Sequence, residues 1–501
     1  RLAGPTLFRV QTTHQSQSPF VPPFLSLIIL VFWTHKRMVR EVVTVQVGQC
    51  GNQIGTRFWN LALQEHVALA AHPAYDAPLS TFFRNVDTRR SPPISIPLAD
   101  GQAPIATLKA RAVLVDMEEG VVSHMLRSPL AELFDRRLIL TDISGAGNNW
   151  AHGHEVYGPQ HRGSLLERVR RAVGDCDSIQ CFSLLTSVGG GTGSGLGSYA
   201  LGALADEYPR ITRICTSVFP SEADDVITSP YNSVLAAQRL VDFADVTLPI
   251  ENQALIELVQ RAERPVPGQQ LSPRVGSLTL NSPGAGSSDE PRGTRQSAEM
   301  PFDSMNNIVA HALTTLTASV RFPGALNTDL ADLTSNLVPF PRMHFLIPGL
   351  APLYSLRDTR YRPAKLDNLF VDALSRQSQL LCASPSASRF LACGMLLRGN
   401  ATAHDAQSAL AKVRTRVQTS YWNPDAFKIG LCAAPPVGQP HLLLSLANNC
   451  CMADVFNTLI ARFDKLYRRR AHTHHFTQYM ESHRFEEARE ALCSIAGEYE
   501  A

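Results

Sequence analysis

Between residues 38 and 255 short apolar runs alternate with amphipathic stretches, and no other feature of the chain restricts its fold as much. VVTVQV (42–47), RAVLVD (111–116), CFSLLTSV (181–188), RICTSVF (213–219) and DVTLPI (245–250) have the length and β-branched content of buried strands. LLERVRRAV (165–173) and SPYNSVLAAQRLVDFA (229–244) carry apolar residues at helical spacing. Strands that alternate with helices build a parallel sheet covered on both faces, and such sheets bind ligands beyond the carboxyl ends of their strands. Function is therefore expected in the residues that follow each run.

Those residues are rich in glycine. Positions 188–198 read VGGGTGSGLGS, with Thr192 and Ser194 set between glycines. Glycine lets backbone approach a ligand closely, and successive N–H groups at a helix start form a nest for phosphate. The P-loop pattern fails, because no Lys lies between Val188 and Ser198. Gly195, Gly197 and Ala200 satisfy the dinucleotide pattern G-x-G-x-x-A, with Asp224 and Asp225 further on. From these residues alone a dinucleotide oxidoreductase stays open, as does a turn that only packs helix against strand.

Three other strand ends matter. In VQVGQCGNQIG (45–55), Gln49, Cys50 and Gln53 stand where the first helix begins, and amides there suit phosphate or a base; a glutamine-rich helix start is the plain alternative. VLVDMEEG (113–120) ends with Asp116, Glu118 and Glu119, which fit hydrated Mg²⁺ or a solvated surface. SGAGNNWAHG (144–153) adds a second nest-like turn through Gly145, Ala146, Gly147 and Asn148.

Composition narrows the partners. Lys and Arg number 46 against 44 Asp and Glu, a net charge of +2, which argues against nucleic acid. Ten scattered cysteines without C-x-x-C read as apolar packing in a reduced compartment. Residues 1–37 differ from the rest: FLSLIILVFW is too short to span a membrane, and its basic residues follow it rather than precede it. Met38 is read as the start, and 1–37 as an unstructured or artefactual extension, with no membrane partner expected.

Residues 263–300 are rich in Pro, Gly and Ser and are expected to form a disordered insert. Pro301 suits the first turn of a helix that FDSMNNIVAHALTTLTASVRF continues for about five turns. Beyond Gly324, RMHFLI, RFLACGMLL, FKIGLCAA and HLLLSLA read as strands only partly separated by helices, ALAKVRTRVQ being the clearest, so a mixed sheet is expected. VFNTLIARFDKLYRR and RFEEAREALCSIAGEY close the chain as two helices. The expected division is a nucleotide domain at 38–252, an intermediate domain at 253–448 with a core helix near 301–320, and C-terminal helices at 449–501.

GQCGNQIG, SGAGNNWA, GGGTGSG, RFPGALN and NLVPFPRMHFL together resemble the tubulin family over nearly all of residues 38–501. FFRNVDTR (82–89), DDVITSPYN and the insert after residue 262 are similar to its epsilon branch. The resemblance displaces the dinucleotide reading. It implies an α/β fold with a tubulin/FtsZ-like parallel-sheet GTP-binding domain, a bridging core helix, a second mixed-sheet domain and a C-terminal helical hairpin. It also implies GTP or GDP with Mg²⁺ as cofactors.

Carried over by position, the resemblance assigns Gln49, Cys50 and Gln53 to phosphates and base, and Glu118 to Mg²⁺ through water. Gly147 and Asn148 fall on the γ-phosphate side; Gly189, Gly190, Gly191, Thr192 and Gly193 hold the phosphate chain, and Ser187 lies beside it. Asp225 takes the ribose, Asn252 and Asn306 read guanine, and Phe302 stacks where the family has Tyr. The partners implied are other tubulin subunits, joined head to tail, and centriolar proteins. The place implied is the cytoplasmic cytoskeleton, at a centrosome, centriole or basal body.

Departures from the family also carry meaning. Ser229 stands where common tubulins have Glu, which removes one ribose contact, and the chain ends at EYEA without a long acidic tail. Hydrolysis in the family is completed in trans, and Asp332 in DLADLTSN occupies that acid's position. A GTPase completed by Asp332 of a neighbouring subunit is therefore one expectation. The alternative is an adaptor or capping protein that holds GTP and barely hydrolyses it. His472, His474 and His475 lack Cys or carboxylate at ligand spacing, so a solvated helix end is expected there.

Overall fold

The structure, a computed structural model, describes residues 40–70, 73–98, 102–221, 224, 226–263, 302–353 and 365–501. The extension at 1–37, Asp225, Pro301 and the insert from residue 264 onward lie outside the described residues.

Six strands form one fully parallel sheet: β1 (Glu41–Val47), β2 (Ala112–Asp116), β3 (Ile139–Thr141), β4 (Ile179–Ser187), β5 (Thr212–Phe219) and β6 (Val246–Glu251). Their spatial order is β6-β5-β4-β1-β2-β3. Five of them are the apolar runs; β3 spans only three residues and leaves no periodic signal. Because side chains alternate across a strand, the sheet feeds two cores. Val43, Val45, Val47, Val113, Val115, Phe182 and Leu184 enter one. Val42, Ala112, Leu114, Cys181 and Leu185 enter the other. Each fully buried aliphatic chain contributes ~1.5–3 kcal/mol.

The first core is closed by helices α2 (Gly158–Gly174), α3 (Gly197–Glu207) and α4 (Ser229–Phe243), through Leu165, Val169, Leu201 and Val234. The second is closed by α1 (Gly48–Leu69), α5 (Asn252–Glu263) and α6 (Asp303–Leu316), through Ile54, Phe58, Leu255 and Leu313. The chain leaves β1 toward β2 on one side and returns to β4 on the other. That reversal opens a crevice at the carboxyl ends of β1 and β4.

The long helix expected from Phe302 to Phe322 is interrupted. α6 ends at Leu316, Thr317 sits at φ −94° and ψ 0°, and a separate turn covers Ala318–Arg321. The cause is local: Thr315 and Thr317 hydroxyls donate back to the His311 and Leu313 carbonyls, at 2.8 and 2.9 Å. The short turn carries Arg321, which pairs with Glu65 of α1 at 2.6 Å. Glu65 also meets Arg398 at 2.5 Å, and all three side chains are buried.

The second sheet comprises β7 (Ile347–Ala351), β8 (Arg389–Gly399), β9 (Gln418–Thr419), β10 (Phe427–Cys432) and β11 (His441–Asn449). β11 runs antiparallel to β7 and β8, whereas β9 and β10 run parallel to β8, so the sheet is mixed as expected. Of the run RMHFLI, only Ile347 joins β7. The residues before it pair with β6 instead: Thr247 N–H donates to His344 O at 2.9 Å and Leu346 N–H to Thr247 O at 2.8 Å. α7 (Leu330–Leu337) and α8 (Ala403–Arg414) flank this sheet. α9 (Met452–Tyr467) and α10 (His483–Glu500) form the terminal hairpin, which packs Phe463, Phe476 and Phe485 around Tyr231 of α4. No helix among the described residues is long and apolar enough to cross a membrane.

Candidate functional site

At the crevice between β1 and β4 lies a cavity of ≈ 260 Å³. Its floor comes from two helix starts. After β1 the chain turns at Gly48, whose φ of +72° and close approach to Gly193 N leave no room for a side chain. Asn52 Nδ2 donates to Gly48 O at 2.9 Å and to Val115 O at 3.2 Å, which ties the start of α1 to the end of β2. Gln49, Cys50 and Gln53 of this first turn line the cavity. Burial pushes the Cys50 thiol up to about 12, so it is a neutral packing group rather than a thiolate.

The glycine loop after β4 forms the opposite wall, through Ser187, Gly189, Gly190, Gly191, Thr192 and Gly193. Its glycines do different work. A Cβ on Gly191 would sit 2.7 Å from Asn149 N, and one on Gly193 2.7 Å from Ser187 Oγ, so both allow chain segments to touch. A Cβ on Gly190 would meet nothing nearer than Asn148 Oδ1 at 3.9 Å. Thr186 Oγ1 donates to Gly193 O at 2.6 Å and fixes the turn.

Gly195 and Gly197 do not reach the cavity. Their Cβ positions collide with Trp150 O at 2.4 Å and Thr186 Oγ1 at 2.7 Å, so they serve packing. Together with Ala200 in the interior of α3, they carry no dinucleotide site, and that reading is corrected.

The SGAGNN turn brings Asn148 to the cavity with φ +50°. Gly147, at φ +57°, shapes this turn but is exposed and not part of the lining. Asp116 and Glu118 approach from the end of β2, and Glu118 N–H donates to Asp116 Oδ1 at 3.3 Å. Burial pushes the Asp116 carboxyl up to about 6, with the Glu118 carboxylate adding to the effect. Asp116 Oδ2 is buried without a hydrogen-bond partner among the described residues.

The far end is built by α5 and α6. Asn252, Phe302 and Asn306 line it, with Leu255 and Met305 supplying an apolar surface. Phe302 holds a left-handed backbone at φ +71° before α6 and leaves half its surface exposed. Asn306 is buried, and its Nδ2 has no partner among the described residues. Asp303, beside Phe302, pairs with Arg57 at 2.5 Å and anchors α6 to α1.

Two sequence-selected positions lie elsewhere. Ser229 is buried behind the glycine loop, with Oγ 3.4 Å from Asp224 Oδ2, and does not line the cavity, whereas Asp224 does. Asp332 is exposed on α7, outside the cavity of its own chain, where its carboxylate accepts from Asp329 N–H at 3.3 Å in a capping box. Sequence reading did not assign Asp224 to this cavity, which it lines.

One end of the cavity thus presents backbone and carboxylates, and the other an apolar face with unpaired amide. That is the donor set of a nucleotide site in a parallel α/β sheet. The description "Tubulin/FtsZ family, GTPase domain" matches residues 41–260, and "Tubulin C-terminal domain" matches residues 341–461. The chain belongs to the tubulin family. It is 46% identical to the tubulin epsilon chain of Mus musculus over 465 residues, covering 92% of this chain and 95% of that one. The tubulin epsilon chain of Homo sapiens matches at 46% with the same coverage, and the tubulin beta-2 chain of Suillus bovinus at 32%, covering 92% of this chain and 96% of that one. Membership in this family implies guanine-nucleotide binding and work alongside other tubulin subunits.

The residues present fit both parts of such a ligand. A buried amide N–H without a partner suits a guanine edge, and a buried carboxylate oxygen without a partner, beside Glu118, suits a hydrated cation.

Proposed function

We propose that the cavity holds GTP or GDP with Mg²⁺ and that the chain is a microtubule subunit acting in centriole or basal-body assembly or stability. The observation that carries the nucleotide reading is the polarity of this cavity, with Asn306 Nδ2, unpaired among the described residues, at one end and the Asp116–Glu118 pair beside a glycine nest at the other. Asn252 and Asn306 read the base, Phe302 packs on it, Gln49 and Gln53 reach base and phosphates, and the N–H groups of Gly189 to Gly193 cradle the phosphate chain. Asp225 takes the ribose in this reading. Mg²⁺ supplies charge neutralisation on the phosphates, held through water by Glu118. The 46% identity to chains named tubulin epsilon supports the centriolar assignment.

Head-to-tail assembly has support at two places. Ile143 and Ile227, 89% and 63% exposed, stand on the loops that border the cavity. Phe340 and Trp422, with ring centroids 5.7 Å apart, and Tyr421, 92% exposed, form an apolar cluster near α7. Contact between such unlike surfaces is heterologous and propagates into filaments. It brings Asp332 of one subunit to the nucleotide of the next, where a carboxylate orients the attacking water. The adaptor reading is favoured by one observation: the Asp332 carboxylate is already engaged in its own capping box.

The test is chemical. Native protein is denatured and the released nucleotide identified and quantified by chromatography; near one guanine nucleotide per chain is expected, and an empty site that also refuses added GTP with Mg²⁺ overturns the reading. Asp332→Ala then separates the alternatives, since a GTPase completed in trans slows and an adaptor is unaffected.

A further inference from the structure

The first turn of α4, just behind the cavity, reads Thr228-Ser229-Pro230-Tyr231-Asn232-Ser233, and none of these residues lines the cavity. Yet Asn232, fully buried, has its whole amide committed to the loops that do. Its Nδ2 donates to Asn148 O at 2.8 Å and to Gly189 O at 2.8 Å, one bond to each loop. Its Oδ1 accepts from Trp150 N–H at 2.9 Å. The amide orientation is fixed by this set, because a flip would set oxygen against two carbonyls. Thr228 Oγ1 adds a second donor to Asn148 O at 3.0 Å.

We infer that Asn232, assisted by Thr228, is a positioning residue that braces the two phosphate-facing loops against each other. The inference rests on the nucleotide reading above. In a trans peptide the C=O and the following N–H point in opposite directions. Anchoring Gly189 C=O on α4 therefore turns Gly190 N–H away from α4, and Gly190 lines the cavity. Asn148 needs the brace for a second reason: a non-glycine residue at φ +50° is strained, and two donors on its carbonyl offset that strain.

The brace also has an outer anchor. Tyr231, the neighbour of Asn232, donates to Ala471 O at 2.8 Å in the link between α9 and α10, so the turn is held from the opposite side. Asn149, next to Asn148, donates through Nδ2 to His475 O at 2.8 Å in the same link.

The experiment is equilibrium dialysis of the full chain with labelled GTP and, separately, labelled guanosine, which lacks phosphate. Asn232→Asp keeps size and the acceptor but has no donor for the two carbonyls. It is expected to weaken GTP by ~10-fold or more while guanosine stays within ~2-fold. Tyr231→Phe, which cuts only the outer anchor and leaves both Asn232 donor bonds in place, is expected to weaken GTP by less than Asn232→Asp does, and a loss as large as that of Asn232→Asp would overturn the central role of Asn232. Should Asn232→Asp fail to fold, Asn232→Ala and the milder Thr228→Val give the same selective loss, the latter by ~2–3-fold. Equal loss of GTP and guanosine indicates a merely structural residue and overturns the inference, as does wild-type GTP affinity in the variants. A wild-type chain that retains no GTP overturns the nucleotide reading and the brace with it.

Discussion

Alanine at Gly190 and alanine at Gly191 are expected to fail in opposite ways. Neither glycine has a left-handed backbone, so the difference lies in what a methyl group would meet. At Gly191 the Cβ falls 2.7 Å from Asn149 N, 2.9 Å from Ala146 Cβ and 3.0 Å from Ala146 O, largely backbone that cannot swing aside. Overpacking of that kind costs ~1–3 kcal/mol and shifts the facing loop. At Gly190 the nearest atom is 3.9 Å away, so folding loses nothing, and the stiffer unfolded chain adds ~0.4–1 kcal/mol of stability. The new methyl instead occupies the cavity. Urea unfolding of nucleotide-free protein and GTP dialysis read the two effects separately. Gly191→Ala should lower the unfolding midpoint, while Gly190→Ala should keep or raise it and still lose GTP affinity by ~10-fold or more. An unchanged midpoint for Gly191→Ala would refute the close contact of the two loops; undiminished GTP binding by Gly190→Ala would refute the claim that this position faces ligand.

Other expectations follow from single groups. Glu65→Gln leaves the buried guanidiniums of Arg321 and Arg398 without their shared carboxylate and should cost ~3–5 kcal/mol, read by thermal unfolding. Burial, with Arg321 beside it, pulls the His66 imidazole down from 6.5 to about 3. The unfolded chain therefore binds this proton first: the contribution of neutral His66 is complete above pH 6.5 and is lost as pH falls toward 3, at up to ~1.4 kcal/mol per pH unit. His66→Phe should flatten that part of the stability curve, and an unaltered slope would count against it. Asn306→Ala, by removing the unpaired buried amide, should narrow the preference for GTP over ATP by ~10-fold in competition binding, with little change in stability.

Much of the fold is written in local pattern. The runs that became β1, β2, β4, β5 and β6 are apolar on both faces, as a doubly covered parallel sheet requires, and α9 and α10 keep helical spacing throughout. Where local pattern was thin, it misled or stayed silent. β3 is three residues long, and the break at Thr317 depends on hydroxyls choosing backbone carbonyls over the helix. RMHFLI looks like one strand, but its residues 344–346 pair across to Thr247 of β6, a long-range choice invisible in its own composition.

The site divides in the same way. Sequence alone pointed to the loops that line the cavity, because glycine nests, amides and carboxylates at strand ends are local signatures of phosphate and cation chemistry. Only tertiary structure decided which members of those loops face the cavity. It put Gly190 on the lining with room beside it, used Gly191 and Gly193 both to line the cavity and to let neighbouring segments touch, and spent Gly195 on packing; it placed Asp224 on the lining and Ser229 behind it; and it put Asn232 where one amide grips two loops. The physical reason is range. Period and turn chemistry act over a few residues, whereas the direction of a carbonyl in one loop is set by a donor more than forty positions away, which only the folded chain brings near.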